Sequence, residues 1–517
     1  MREGRSRGFA AGLGLGYLHT ATALAAALVL TPYLLGRLGA HDYGLWLIGA
    51  QVLAYLALMD IGIVALVPRE VAFAVGQGRG ADSPEVRALV SRTLGVVAWQ
   101  VPFVVAAVAA TWWWLPVDWT LVRGPLGVAL FGFALLFPLR VFVALLQGLQ
   151  DLAYLGAAHL AGLVVGTVVT AGAVWGGLGL YALAMGWVAG QAVPAAMAWR
   201  RLRQRHPHVW PREPISRSWS TVRGQLSRGV WISVSQVAQV LLTGTDVLVV
   251  GALVGPEAVV VYVCTGKLLS MLANQPQLLL QTALPALSEL RGAAAGERLN
   301  QISRSMTQLL FLASGAIVVS VLVVNQGFVV WWVGAASFGG LALTAVLLTS
   351  MFVRHVNFAA VYTLFCFGHE RRLAVTSVAD GIVGAVAMLV LVPLVGPIGA
   401  PIGLLLATVL VSLPANLRAL GRETGTEPLA FLAFWSGWAV RFVLVLACAA
   451  AVAMTIEGTV WWAAGLAAAS MLVIYAVVMA PELGRPPLGP MLAERIGPLR
   501  VFGGSWARPA GEQGVAP

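Results

Sequence analysis

The feature that most constrains this sequence is a series of fourteen apolar runs, most of them long enough to cross a lipid bilayer as a helix. A bilayer core of about 30 Å requires about 20 predominantly apolar residues per helix. Only 10% of the 517 residues are charged, against about 25% in a soluble chain. So few charges cannot cover a water-exposed surface, which argues against a cytosolic enzyme, a nucleic-acid-binding protein and a disordered chain. The sequence predicts an all-α polytopic membrane protein.

The predicted spans are separated by short polar segments, and none of these segments is long enough to form an external domain. The fourteen runs lie at roughly 10–36, 44–68, 90–115, 124–147, 152–175, 178–199, 228–252, 257–285, 303–325, 339–367, 372–394, 396–417, 430–453 and 459–480.

Basic residues are distributed very unequally between the two sides that fourteen spans define. One set of segments carries 26 of the 32 basic residues, and the other carries only Arg37 and Arg123. Cytoplasmic loops of membrane proteins are enriched in Lys and Arg. We therefore expect both termini to be cytoplasmic.

The two halves of the chain resemble each other at a nearly constant offset. Gly36 matches Gly251, Pro68 matches Pro285, Gly148 matches Gly368, and Gly176 matches Gly396, at offsets of 215 to 220 residues. An even number of spans per repeat predicts two six-helix lobes of the same orientation with a site between them. The predicted organisation is an N-lobe (1–200), a basic cytoplasmic linker (201–227), a C-lobe (228–420), two extra helices (428–481) and a cytoplasmic tail (482–517).

Two neighbouring spans carry polar side chains at helical spacing. They are Gln236, Gln239, Thr243 and Asp246 in span seven, and Lys267, Ser270, Asn274, Gln277 and Gln281 in span eight. Polar groups inside a bilayer are costly and should face protein or water. The stripes therefore predict the wall of a hydrated cavity. The alternative is a set of hydrogen bonds that join helices within the bundle.

Other polar residues inside the predicted spans are isolated. Asp60 lies deep in span two, and Gln51 occupies the position in the first repeat that Lys267 occupies in the second, 216 residues later. A salt bridge between Asp246 and Lys267 is an alternative to a ligand-binding role for either residue. Arg354 in span ten is a candidate for an anionic headgroup.

The sequence also leaves the roles of four residues open between a site and a structural contact. Arg354 can pair with a carboxylate such as Asp380 instead of binding a ligand. Arg140 can extend towards the bilayer interface. Arg441 can hold the two extra helices together, and His19 in span one is a weaker site candidate.

The sequence contains no pattern of catalytic or metal-binding residues. It has no phosphate-binding glycine motif, and its three cysteines lie singly in apolar runs. We expect a protein that is not an enzyme and holds no metal or cofactor.

Several short motifs carry a family resemblance. The segment LLGRLGAHDYG (34–44), followed by MDIG (59–62), resembles the opening of polysaccharide-biosynthesis flippases of the Wzx type. In the second half, DVLVVG (246–251), Gly255-Pro256, Tyr262, Leu284-Pro285 and Trp332-Val333-Gly334 resemble the family's corresponding segments. These flippases form a branch of the multidrug/oligosaccharidyl-lipid/polysaccharide (MOP) exporter superfamily, whose members share the fold of the MATE transporters. The likeness covers roughly residues 10–420.

This resemblance implies a function and partners. It implies export of an undecaprenyl-pyrophosphate-linked oligosaccharide across the bacterial cytoplasmic membrane by alternating access, for surface polysaccharide assembly. Membrane lipids, and a neighbouring polymerase or glycosyltransferase, are expected partners; nucleic acid is not. Energy must come from a gradient of Na⁺ or H⁺, from substrate supply or from neither; Asp60 and Asp246 are candidates either to bind a coupling cation or to tune the charge of the cavity. The alternatives are a cation-coupled exporter of small molecules on the same fold and a membrane subunit of polysaccharide synthesis that transports nothing.

Overall fold

The structure is a computed structural model that describes residues 2–60, 63–75, 83–115, 119–210, 219–277, 296–425, 435–456 and 460–489. The predictions made for Pro285, Gln281, part of the linker (211–218) and the tail beyond residue 489 lie outside the described residues. The described chain is almost entirely helical, because a backbone in hydrocarbon must satisfy its own N–H and C=O groups.

Seventeen helices are distinguished within the described residues. They are α1 (Arg2–Leu56), α2 (Ile63–Ala74), α3 (Pro84–Trp114), α4 (Thr120–Leu136), α5 (Arg140–Gly148), α6 (Leu152–Trp175), α7 (Leu180–Arg205), α8 (Trp219–Leu253), α9 (Pro256–Thr265), α10 (Lys267–Gln277), α11 (Gly296–Val333), α12 (Gly340–Cys366), α13 (Glu370–Val395), α14 (Gly399–Ala407), α15 (Leu413–Thr424), α16 (Ser436–Thr455) and α17 (Trp461–Leu483).

The number of membrane passages follows from the lengths of these helical segments. Eleven described segments are long and apolar enough to cross a bilayer, and the bent pair α9–α10 makes a twelfth. Two of the eleven, 47 and 54 residues long, are each long enough for two passages. They change direction at Gly39 and Gly396, which have φ values of 82° and 72°. Counting each of these as two passages gives the fourteen that the sequence predicts.

The two ends of the bundle differ in their connections. The short-loop end contains the tight turns at Gly39, Gly177, Gly255 and Gly396, all with positive φ. The opposite, arginine-rich end contains the segments with most of the basic residues, such as the C-terminal turn of α7 with Arg203 and Arg205. Helix α7 and the start of α8 both extend into the segment predicted as a linker.

Span two, predicted as continuous over 44–68, is broken instead. The end of α1 leads into a 3₁₀ turn at Ala57–Asp60, and α2 begins at Ile63. The side-chain amide of Gln100 donates to the carbonyl oxygens of Met59 (3.4 Å) and Asp60 (3.1 Å). A buried glutamine on α3 thus donates hydrogen bonds to the backbone at the interruption.

Span eight, predicted as continuous over 257–285, is also broken. Helices α9 and α10 meet at 49°, with Gly266 between them. The carbonyl of Thr265 at the bend accepts a hydrogen bond of 2.9 Å from the buried side chain of Asn325. The Thr265 hydroxyl accepts one from the backbone N–H of Gly339 at 2.8 Å. Residues of α11 and of the segment before α12 therefore stabilise the bend.

The packing of the two halves shows the same helix pairs. Helix α6 packs along both α1 and α7, and in the second half α13 packs along both α8 and α14. Helix α1 also contacts α8, α9 and α11, so it lies between the halves.

Helix α16 packs against α11 and α12 through an aromatic cluster. The cluster contains five contacting ring pairs, with centroid separations of 4.7 to 5.9 Å, among Phe311, Phe352, Trp438 and Phe442. This packing is independent of the contact between the two halves.

A buried glutamate joins α11, α16 and α17. Glu482, predicted to belong to the tail, lies in the last turn of α17 and is 4% exposed. Its carboxylate pairs with Arg441 of α16 at 2.5 Å and with Arg485 at 2.9 Å. Its backbone carbonyl accepts a hydrogen bond from Gln308 of α11. Arg441 therefore holds the extra helices together, as the structural alternative predicts.

Removing this carboxylate should destabilise the fold. We expect Glu482→Ala to cost about 3–5 kcal/mol of stability, because it leaves Arg441 with an uncompensated charge. The matched control is Glu423→Ala, which removes the exposed partner of His369 and should cost less than about 1 kcal/mol. Thermal unfolding in detergent measures the loss of stability in both variants. Equal losses would show that the Glu482 ion pair contributes no more stability than the exposed Glu423–His369 pair.

Candidate functional site

The polar stripes on α8 and α10 remain exposed. Gln239, Thr243, Ser270 and Asn274 are exposed, and Gln236, Lys267 and Gln277 are partly buried. Two of these side chains have their hydrogen bonds within their own helices: Thr243 donates to the Gln239 carbonyl at 2.7 Å, and Ser270 donates to the Lys267 carbonyl at 2.8 Å. These two bonds do not join helices, in contrast to the structural alternative for the stripes.

Lys267 begins α10, immediately after the bend at Gly266. Within the described residues, no carboxylate lies within 4 Å of its ammonium group. The predicted alternative of an Asp246–Lys267 salt bridge is therefore not formed. Lys267 carries a positive charge that the described protein groups leave unneutralised.

Asp246 has other partners. One carboxylate oxygen accepts a hydrogen bond from the Tyr262 hydroxyl at 2.8 Å, and the other accepts one from the Val247 N–H at 2.9 Å. Asp246 thus fastens α8 to α9. The sequence singled out Tyr262 only through the family resemblance, because a tyrosine in an apolar run gives no sign of its partner.

Arg354 on α12 reaches towards α8. Its guanidinium donates to the Leu242 carbonyl at 3.1 Å and interacts electrostatically with Asp380 and Asp246. This placement agrees with the alternative in which Arg354 serves carboxylates of its own chain. His355 beside it points elsewhere, and its ring nitrogen Nδ1 lies 2.7 Å from the Ser314 hydroxyl.

A buried polar network continues from Asp380. The Ser412 hydroxyl donates to Asp380 at 2.8 Å, Asn357 donates to Ser412 at 3.2 Å, and Asn416 donates to Asn357 at 2.9 Å. Oδ1 of Asp380 and Oδ1 of Asn416 are buried without a hydrogen-bond partner among the described residues. Ser412 ends a π-helical turn at Thr408–Ser412, a departure from α-helix that is frequent at functional sites. Sequence reasoning missed Ser412 and Asn416, which single polar positions in an apolar run do not reveal.

The remaining predicted residues lie apart from this network. Gln51 packs its amide directly against Gly244 of α8, where any side chain would collide with it. Nearby, the hydroxyls of Tyr55 and Thr245 are 2.5 Å apart. Asp60 is buried in the break of span two. Gln51 therefore lies at the contact between the halves, whereas Asp60 lies in a 3₁₀ turn whose backbone accepts a hydrogen bond from Gln100.

Contacts between the two halves close the short-loop end. Nδ1 of His41 lies 2.7 Å from a carboxylate oxygen of Glu257. Gly44 packs against the backbone of Pro256 so closely that a Cβ would collide with the Pro256 carbonyl. The indole N–H of Trp332 donates to the Leu28 carbonyl at 2.6 Å.

The geometry defines a polytopic helical membrane protein with exposed polar stripes on two central helices and one closed end. A family model described as "Polysaccharide biosynthesis protein" matches residues 12–291. This match covers more than half of the chain, and the chain belongs to that family.

Solved structures show the same fold. A lipid II flippase MurJ in an inward closed conformation has a TM-score of 0.66 at 10% identity, covering 91% of this chain and 100% of that one. An inward-facing multidrug resistance MATE family transporter of the MOP superfamily has a TM-score of 0.60 at 11% identity, covering 80% and 98%. A search of curated proteins found no match. The predicted fold and the resemblance to polysaccharide-biosynthesis proteins are confirmed.

The close contact at Gly44 predicts that one added methyl group at this position disturbs the contact between the halves. Gly44→Ala should separate the halves at the short-loop end and expose Cys264, which is 1% exposed. In a Cys366→Ser/Cys448→Ser background, we expect membrane-impermeant thiol reagents to label Cys264 roughly tenfold faster, as for a shift of about 1.4 kcal/mol in the opening equilibrium. Glu257→Gln should give a smaller increase, because exposed ion pairs contribute little.

The control is Gly36→Ala, because a Cβ at Gly36 meets no atom within 4 Å. This variant should leave the labelling rate unchanged. Equal labelling rates of Gly44→Ala and Gly36→Ala would show that the Gly44–Pro256 contact does not close this end.

Proposed function

We propose that the protein is a flippase that moves a lipid-linked oligosaccharide across the bacterial cytoplasmic membrane by alternating access, for surface or exopolysaccharide assembly. The lipid carrier is undecaprenyl pyrophosphate. Family membership supports the link with polysaccharide biosynthesis, and the shared fold of flippases and transporters supports movement of a substrate without covalent chemistry.

The observation that carries this proposal is the exposure of polar side chains on α8 and α10. Gln239, Thr243, Ser270 and Asn274 are exposed in spans where lipid contact would be costly. Hydroxyl and amide groups are suited to the hydroxyls of a sugar, which accept and donate hydrogen bonds. Lys267, left without a carboxylate partner, is suited to a phosphate.

The closed short-loop end fits the same mechanism. With the predicted orientation, this end is external, and the contacts at His41–Glu257 and Gly44–Pro256 separate the substrate path from the outside. A substrate would then enter from the cytoplasmic leaflet, and separation of these contacts would release it outside. This sequence of events is the alternating access of paired lobes around a fixed site.

Reconstituted protein tests the proposal. In proteoliposomes with a fluorescent undecaprenyl-pyrophosphate-linked oligosaccharide, an impermeant quencher reports the fraction of lipid in the outer leaflet. We expect Lys267→Ala to slow flipping by about 10- to 100-fold, since a hydrogen bond to a charged group contributes about 1.5–3 kcal/mol. Ser270→Ala and Asn274→Ala should slow it less, and Lys267→Arg should retain part of the activity.

The matched control for Ser270 is Ser470→Ala. Ser470 is an exposed serine on α17 whose hydroxyl is bonded to its own helix at Leu466, so its variant should flip lipid at the normal rate. Flipping that survives Lys267→Ala would remove Lys267 from the site. Wild-type protein that moves small cationic molecules but no lipid-linked saccharide would support the small-molecule exporter. Protein that moves neither would support a non-transporting subunit.

We also propose that a coupling cation, Na⁺ or H⁺, binds at Asp380. Asp246 and Asp380 together carry two negative charges when ionised, and Arg354 supplies one positive charge among them. One further positive charge would therefore balance the cluster. The buried oxygens Oδ1 of Asp380 and Oδ1 of Asn416, which lack hydrogen-bond partners among the described residues, suit a proton or a hard cation.

Gradient dependence tests this second proposal. We expect the initial flipping rate of the wild type to rise with an imposed Na⁺ or H⁺ gradient. Asp380→Asn should retain the Ser412 hydrogen bond but lose the response to the gradient. Glu423→Gln, at an exposed carboxylate, is the control and should keep it. A wild-type flipping rate that is the same with and without either gradient would refute coupling. A flipping rate that still rises with the gradient in Asp380→Asn would refute this site.

A further inference from the structure

An apolar groove of about 500 Å³ runs between α1 and α6, and none of the residues of the polar stripes on α8 and α10 lines it. Its floor on α1 is formed by small side chains, including Ala25 and Ala26, and its walls by Val29 and Val168. Both valines are strongly exposed, at 73% and 63%. The recess is therefore open along its length.

The lining of the groove offers few hydrogen bonds to a ligand. Thr167, one of two threonines in the lining, already donates its hydroxyl to the Leu163 carbonyl at 2.8 Å. It therefore presents mainly its methyl group to the groove. Such a lining suits a hydrocarbon chain and does not suit a sugar, because polar groups would lose their hydrogen bonds there.

The two ends of the groove differ chemically. Towards the short-loop end, the Tyr33 hydroxyl donates to the Ala171 carbonyl at 3.2 Å and ties the two helices together. At the other end lie the imidazoles of His19 and His159, with centroids 6.3 Å apart in an edge-to-face arrangement. His19 is therefore not isolated, since it meets a second histidine that the sequence gave no reason to pair with it.

The position of the histidines matches the depth of a lipid headgroup. His19 lies twenty residues before Gly39, which is about 30 Å along a helix and equals the thickness of a bilayer core. The groove continues from Thr22 to Tyr33 for about 17 Å, roughly the depth of one leaflet. No hydrogen bond or ion pair of either imidazole is found among the described residues, so both remain able to donate to an anion.

The groove lies on a face of α1 next to the one that contacts the second half, since successive residues of a helix are about 100° apart around its axis. Leu28, whose carbonyl accepts the hydrogen bond from Trp332, directly precedes Val29 in the groove wall. Helix α1 therefore presents the groove beside the surface through which it meets the second half. A substrate lipid held there would lie next to the path that its headgroup takes between the halves. A bulk phospholipid has no headgroup that must follow this path.

We propose that this groove binds the polyprenyl chain of the lipid-linked substrate, with His19 and His159 donating hydrogen bonds to its phosphate. The proposal rests on the proposed function, because that function supplies a lipid with a long apolar chain and a phosphate in the cytoplasmic leaflet. It assigns the chain to a surface separate from the sugar-binding stripes on α8 and α10.

Native mass spectrometry of the purified full-length chain tests the proposal with three probes: undecaprenyl phosphate, undecaprenol and phosphatidylglycerol. We expect the wild type to retain undecaprenyl phosphate in preference to the other two. Val29→Trp and Val168→Trp should each weaken its binding by at least about tenfold, because an indole ring fills the space of the chain. His19→Phe and His159→Phe should remove the preference for the phosphate over undecaprenol.

The matched control is Val390→Trp, which places the same ring at an exposed valine of α13 and should leave binding unchanged. Photolabelling of the wild type with a diazirine-bearing polyprenyl phosphate provides a second test that needs no variant to fold. Labels should fall within residues 22–33 and 164–171.

Several results would overturn the proposal. They are undiminished binding in both groove variants, labels confined to other helices, and equal retention of phosphatidylglycerol, which would make the groove a general lipid contact. Loss of a dimer in the tryptophan variants would instead identify the occupant as a second copy of the chain. Intact lipid binding without flipping would refute the proposed function and leave the groove assigned, whereas flipping that survives both groove variants would refute the groove alone.

Discussion

The cost of an unpaired polar group in hydrocarbon is the constraint on which the rest of this structure depends. Continuous helices meet it locally, since each carbonyl finds a donor one turn later. Broken helices cannot, so side chains from other helices must complete them. Gln100 does this for the break in span two, and Asn325 does it for the bend in span eight. Both of these interruptions are therefore paired with a buried amide.

The same constraint separates structural from functional polar residues. Asp246, Arg354 and Glu482 have partners within the chain, so their presence in the bilayer is explained by the fold. The exposed stripe residues Thr243 and Ser270 bond only to their own helices. What distinguishes them is exposure in a region where water or a polar ligand must replace lipid.

Much of the fold could be predicted from hydropathy and charge because both are local properties. The span predicted at 152–175 coincides with α6 (Leu152–Trp175), and Gly39, Gly177, Gly255 and Gly396, in the short connections between predicted spans, adopt positive φ. The interruptions could not be predicted, because one charged residue at each of them, Asp60 or Lys267, does not reveal a break, and the amides that contact them lie 40 and 60 residues away. Hydropathy identifies the segments that can lie in an apolar environment. It does not identify the residue at which a helix ends.

The same distinction, between local properties and properties of the assembled bundle, applies to the candidate site. Helical spacing placed the polar residues of α8 and α10 on stripes, since spacing is readable from one segment. The partner of each charge is a property of the assembled bundle. Asp246 could pair equally well with Lys267 or serve a ligand on sequence grounds, and the structure gives it to Tyr262. Glu482 seemed to belong to the tail because the apolar run fades before it, yet α17 continues to Leu483.

The closed end shows why the two halves must differ where they resemble each other most. His41 and Glu257 are 216 residues apart, the same offset as Gly39 and Gly255, so they occupy equivalent positions in the two repeats. Around a twofold axis, a residue close to the axis meets its own counterpart. Two histidines or two glutamates there would give no attraction, and like charges would repel. A complementary pair such as His41 and Glu257 is possible only because the repeats have diverged at this position. The divergence allows the two halves to attract each other where they meet at this end.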